Sequence, residues 1–122
     1  MALEVGMKNS VTLTVTDEMC ADHLDSQLPQ IELPHVFSTP SMVNLIELTC
    51  AELMIKHAEE GMYSVGMAVD VRHVASTPAG KSVSCVAEVA EIDGRKVLFN
   101  VTCTDENGKL GFGTHRRAYV KK

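Results

Sequence analysis

Three residues of this chain pair a reactive side chain with a position where that side chain is out of place. Glu47 falls inside an apolar helical pattern. On a wheel of about 100° per residue it lies roughly 150° from the centre of the charged stripe, beside Val43, Cys50, Ala51, Met54 and Ala58. A carboxylate on such a face must be partnered or employed, and burial would raise its pKa while a nearby cation would lower it. His73 shares one face of a period-two segment with Met67, Val69 and Val71, which aims it at the helix. There it could act as base or orienter with Glu47, in the core or across a dimer. Thr39 stands where the helix begins, as its N-cap, beside free backbone N–H groups in positive potential. Such donors can stabilise a developing oxyanion during acyl transfer. Each residue also has a plainer role, as a hydrogen-bonded buried acid, a satisfied core histidine and a cap.

The elements that must position them follow from periodicity. Val11, Leu13 and Val15 alternate with Thr12, Thr14 and Thr16, which predicts a half-buried strand over 10–16. Residues 17–40 form an acidic connection punctuated by Pro29, Pro34 and Pro40, long enough to be a lid or binding segment. A helix is predicted from Thr39 to Glu60 with Gly61 as its stop; Thr49, Glu52, Lys56, Glu59 and Glu60 make its solvent stripe. Strands are expected over 67–76, 82–92, 95–104 and 109–120, opened by Gly66 and joined at Asp93-Gly94 and Asn107-Gly108. The predicted order is strand, loop, helix and a four-stranded antiparallel meander. This is an α+β single domain over 1–122 with a sheet of about five strands around one mostly buried helix. Gly111 and Gly113 read as bulges or bends in the last strand.

Composition narrows the function classes. Hydrophobic residues make up 45% and charged residues 22% of 122, as in ordinary globular domains. With three Phe, two Tyr and no Trp, the chain lacks a stacking platform for single-stranded nucleic acid, and a formal charge of −5 argues against a DNA partner. The charge is uneven: residues 1–94 carry four basic and fourteen acidic residues, residues 95–122 seven basic and two acidic. That basic region reads either as solvated strand ends or as a seat for a phosphorylated ligand. Cys20, Cys50, Cys85 and Cys103 show neither zinc spacing nor a disulfide framework, and His23, His35, His57 and His115 form no ligand set with His73. No metal or cofactor is expected. With no signal peptide or membrane-length apolar run in the sequence, the expected location is the cytoplasm.

Three segments carry a resemblance. Phe37-Ser-Thr39-Pro-Ser-Met-Val-Asn-Leu-Ile-Glu47, Gly66-Met-Ala-Val-Asp-Val-Arg-His73-Val-Ala-Ser-Thr-Pro-Ala-Gly80 and Gly113-Thr-His-Arg-Arg117-Ala resemble hot-dog-fold thioesterases of the fluoroacetyl-CoA thioesterase family. Order and spacing hold over residues 10–120. The resemblance implies a sheet wrapped around the central helix and a homodimer with active sites at the subunit interface. It puts catalytic roles on Thr39, Glu47 and His73, a glycine near the acyl group at Gly66 and an arginine at Arg117, the residue expected to meet the CoA phosphates. That family carries aromatic residues in its lid where this loop reads Gln30-Ile-Glu-Leu33-Pro34, so the expected substrate is a short or medium acyl-CoA, with Leu33 and Phe37 among the residues expected to bind it. A non-catalytic module that binds acyl thioesters is the alternative on the same fold.

Overall fold

A computed structural model describes residues 2–24, 28 and 30–122. The Val11/Leu13 alternation builds β1 (Lys8–Thr14), which begins and ends two residues before the expected span. One 3-10 turn (Asp17–Met19) and a short helix, α1 (Ala21–Leu24), follow within the long connection. Isolated bridges from Cys20 to Phe37 and from Val36 to Pro78 fasten that segment to the body. Pro29 lies outside the described residues.

The long helix, α2, runs from Thr39 to Lys56. Its cap is Ser38 rather than Thr39: the Ser38 hydroxyl accepts from the Ser41 N–H at 3.1 Å, and Thr39 and Pro40 are the first helical residues. The helix also ends before Glu60, because the His57 N–H turns back to the Met54 carbonyl at 3.2 Å and the Ala58 N–H to Ile55 at 3.3 Å. That tightened turn takes up the Met54 and Ile55 carbonyls. Thr49, expected in the solvent stripe, is fully buried, its hydroxyl donating to the Leu45 carbonyl at 2.7 Å. Leu48 and Ile55 face outward instead, 50% and 61% exposed.

The sheet has the order β1-β3-β4-β5-β2 and is antiparallel throughout. β3 (Ser82–Asp93), β4 (Lys96–Asp105) and β5 (Gly108–Lys121) form the two hairpins at the predicted turns. The meander stops there. β2 (Met62–His73) does not join β3; it pairs with β5 at one edge of the sheet, and β1 pairs with β3 at the other. Residues 74–81 separate β2 from β3, too long a link for a tight hairpin. β2 also begins at Met62, so Gly66 sits within the strand and does not open it.

Helix α2 touches all five strands, as a wrapped sheet requires. Val83, Cys85, Ala87 and Val89 of β3 and Val97, Phe99, Val101 and Cys103 of β4 are buried in one cluster with Met42, Leu45, Ile46 and Met54. Each large apolar side chain so buried stabilises the fold by roughly 1.5–3 kcal/mol.

One irregularity in β2 matters for the site. Gly66 pairs with Arg117 and Ala68 with Arg116, so Met67 is an extra residue in the ladder. In a regular strand, seven residues apart means opposite faces. The bulge moves Gly66 to the face that carries Val69, Val71 and His73, where their partners are Arg117, His115, Gly113 and Gly111.

Candidate active site

Thr39 and His73, 34 residues apart in the chain, meet at the N-terminus of α2 with Oγ1 and Nδ1 2.9 Å apart. Burial holds the His73 imidazole below its ordinary pKa, with the Ala75 backbone nearby acting against it, so the neutral ring is favoured. Its Nε2 is shut off from solvent and has no hydrogen-bond partner among the described residues. An unpaired buried nitrogen costs about 1–3 kcal/mol, which marks a place where fold stability gives way to something else. A cavity of about 360 Å³ adjoins the pair, lined by Ala21, Val36, Phe37, Thr39, His73 and Val74 among others.

Glu47, two turns further along α2, belongs to a second cluster. Arg117 is buried in the sheet with its side chain 7% exposed, and its Nη1 donates to Glu47 Oε1 at 3.2 Å. The same guanidinium donates from Nε to Ser64 Oγ at 2.8 Å and from Nη2 to the Ser64 carbonyl at 3.1 Å. Glu47 is half-exposed and not sealed in the core. Its carboxylate lies directly over Gly66, where a Cβ would come within 2.8 Å of Oε1. The glycine therefore lets the acid approach the strand backbone.

His115 completes this cluster, a residue the sequence reading set aside. It is 1% exposed, and burial, with the Arg117 charge adding to it, lowers its pKa. Its Nδ1 lies 2.9 Å from the Ala68 carbonyl and its Nε2 3.2 Å from Arg117 Nη1. The available signal was period two along β5, which puts Gly111, Gly113, His115 and Arg117 on one face.

A model of the fluoroacetyl-CoA-specific thioesterase family matches residues 15–122. This chain belongs to that family. A fluoroacetyl-CoA thioesterase of Streptantibioticus cattleyicolor is 34% identical over 119 residues, spanning 97% of this chain and 86% of its own length. A solved fluoroacetyl-CoA thioesterase structure superposes with a TM-score of 0.94 at 34% identity, covering 99% of this chain and 90% of that one. A variant of that enzyme with fluoroacetate and CoA gives 0.89 at 33% identity, over 98% and 96% of the two chains. A thioesterase superfamily member from Thermus thermophilus gives 0.87 at 26% identity, over 98% and 85%. These likenesses show the hot-dog fold, here five antiparallel strands against one long helix.

Of the residues expected from the fluoroacetyl-CoA thioesterases, the structure brings Thr39 to His73, and Glu47 to Gly66 and Arg117. Phe37 is buried beside the first pair, whereas Leu33, half-buried in the connection, does not line that cavity. The hydrogen bonds of Arg117 within the chain go to Ser64, Glu47 and His115. Arg95 and Lys121 line a separate cavity of about 480 Å³ near His57, at the far end of α2. Cys20, Asp22 and His35, not grouped by the sequence, do meet, but both His35 nitrogens are taken by the carboxylates of Asp22 and Asp17 at 2.8–2.9 Å. Among the described residues no helix is long and apolar enough to cross a membrane.

Proposed function

We propose that this protein hydrolyses the thioester of a short or medium acyl-CoA, in sites that two copies of the chain build together. The observation that carries the reading is the 2.9 Å contact between Thr39 and His73 at the N-terminus of α2, beside an open pocket of mixed apolar and polar lining. The Thr39 hydroxyl, in the positive potential of the α2 N-terminus, receives the thioester carbonyl oxygen as it takes up negative charge. Glu47 supplies the carboxylate that takes a proton from water or attacks the carbonyl itself. The C–S bond then breaks, the proton taken from water passes to the leaving thiolate with His73 as its relay, Glu47 is ionised again, and a carboxylate, a proton and free CoA depart. Water and the thioester are the only reactants.

Eight helical residues separate Thr39 from Glu47, about 12 Å along the axis. Within one chain the two stand two turns apart, which favours a site completed by a second copy. β2 is an edge strand with Val65, Met67 and Val69 each at least 40% exposed, which favours pairing with another strand. Two β2 strands pairing antiparallel about their middles carry the Gly66–Glu47 cluster of one copy toward the Thr39–His73 pair of the other. A cytoplasmic location accords with four free, buried cysteines.

The test is thiol release from a series of acyl-CoAs, acetyl to aromatic, by wild type and Glu47→Gln. Glutamine keeps an acceptor for Arg117, and its loss should be about 10²–10⁴-fold. Turnover unaffected by that change would overturn the role of Glu47. Tight acyl-CoA binding without turnover in the wild type would make the protein a binding module. Transfer of labelled solvent oxygen into Glu47 during one turnover separates direct attack from water activation.

A further inference from the structure

We propose that His115 is a positioning residue for Glu47, acting through Arg117; this rests on the role given to Glu47 above. The ring sits between two groups with opposite demands. The Ala68 carbonyl, 2.9 Å from Nδ1, can only accept, so Nδ1 carries the proton. Arg117 Nη1, 3.2 Å from Nε2, can only donate, so Nε2 presents its lone pair. Only the neutral Nδ1–H tautomer meets both.

The consequence runs through one nitrogen. Ser64 holds Nε and Nη2 of Arg117, leaving Nη1 with two hydrogens. One goes to His115 and the other to Glu47 Oε1, at 3.2 Å each. The imidazole thereby takes one hydrogen of Nη1 and leaves the other for Glu47, which sets where the carboxylate rests. Through Ala68, the first paired residue after the bulge, the same ring ties that cluster to the stretch of β2 that sets Gly66 and His73 on one face. The register partners of His115 are apolar, Phe99 on β4 and Val69 on β2. The charged groups facing it are Arg117 on its own strand and Glu47 on α2. A protonated ring would lose its acceptor and face a guanidinium. The amide of asparagine or glutamine carries both a donor and an acceptor, whereas Leu carries neither.

The test is a double-mutant cycle on acyl-CoA hydrolysis, alongside nitrogen-15 NMR of the histidine rings in the intact protein. His115→Leu should lower kcat about 10- to 100-fold, the scale of an ångström's misplacement, with KM within about threefold. In a Glu47→Gln background the same change should cost less than about twofold, because its target is already gone. NMR should show His115 as the Nδ1–H tautomer down to pH values where exposed histidines are charged. Should His115→Leu fail to fold, His115→Phe, which keeps the ring and removes both nitrogens, carries the cycle. Equal losses in the two backgrounds, no loss in either, or an Nε2–H or charged ring at neutral pH would overturn the proposal. Full activity of Glu47→Gln alone would instead count against the function assigned to Glu47, which keeps the two failures distinct.

Discussion

The carboxylate of Glu47 occupies the space that a side chain on Gly66 would take. A Cβ there would lie 2.8 Å from Oε1 and 3.4 Å from Arg117 Nη1, closer to the oxygen than real Cβ atoms come. Glu47 is half-exposed and can retreat, so Gly66→Ala should fold. Its acid would be displaced, however, and kcat/KM should fall about 10²-fold with little change in Tm. Steady-state kinetics and thermal unfolding on the same preparation check this, and a large drop in Tm would mean the glycine serves the fold first.

Mixing Thr39→Ala with Glu47→Ala chains should restore activity that neither variant has alone. In a mixed dimer, one site receives the intact Thr39 of one chain and the intact Glu47 of the other, while the second site receives both defects. Random exchange makes half the dimers mixed with one good site of two, so recovery should approach about a quarter of wild type. Each chain refolded separately is the control. No recovery after verified exchange would place each site within a single chain.

His35 should fasten the connection between β1 and α2 in a pH-dependent way. Its ring is held by Asp22 and then Asp17, which raise its pKa above 6.5. A raised folded-state pKa means that the contribution is fully present below the unfolded value and fades as pH climbs through the folded one. The Ala21 and Asp22 amides, bonded to the Val36 and Pro34 carbonyls, report on it. After correction for intrinsic exchange rates, their hydrogen exchange should be slower at pH 6 than at pH 8.5, and His35→Ala should erase that difference.

Ser38 and Thr39 should separate under substitution. Ser38→Ala removes the cap on the Ser41 N–H and should cost about 1 kcal/mol of stability by denaturant unfolding. Thr39→Ala removes no cap and should leave stability nearly unchanged while depressing turnover. The reverse pattern would return the capping role to Thr39.

That pair of neighbours shows where the sequence was and was not readable. Ser, Thr and Pro in succession announce a helix start, but either hydroxyl can cap, and local chemistry does not choose between them. The α2 pattern and both hairpin turns were legible because apolar periodicity and the Asp-Gly and Asn-Gly dipeptides act within a few residues. The pairing of β2 with β5 was not, since a strand's partner is set by the whole sheet. The bulge at Met67 escaped for the same reason, so counting by twos put Gly66 and His73 on opposite faces. Thr49 looked solvent-facing because the wheel counts its hydroxyl as polar and cannot see the Leu45 carbonyl that receives it. His115 had a legible face and an illegible task, because its role depends on Arg117 and Ala68 together.

The strand order also sets a timetable. β2 carries Gly66 and His73, yet its neighbour in the sheet is β5, whose Gly108–Lys121 leaves the ribosome some forty residues later. Until then β3 and β4 can close their hairpin, while the edge that bears the chemistry has nothing to lie against. Synthesis therefore completes the scaffold first and the reactive edge last. A chain stopped before β5 would hold Thr39, Glu47 and His73 in its sequence without the ladder that brings them to order.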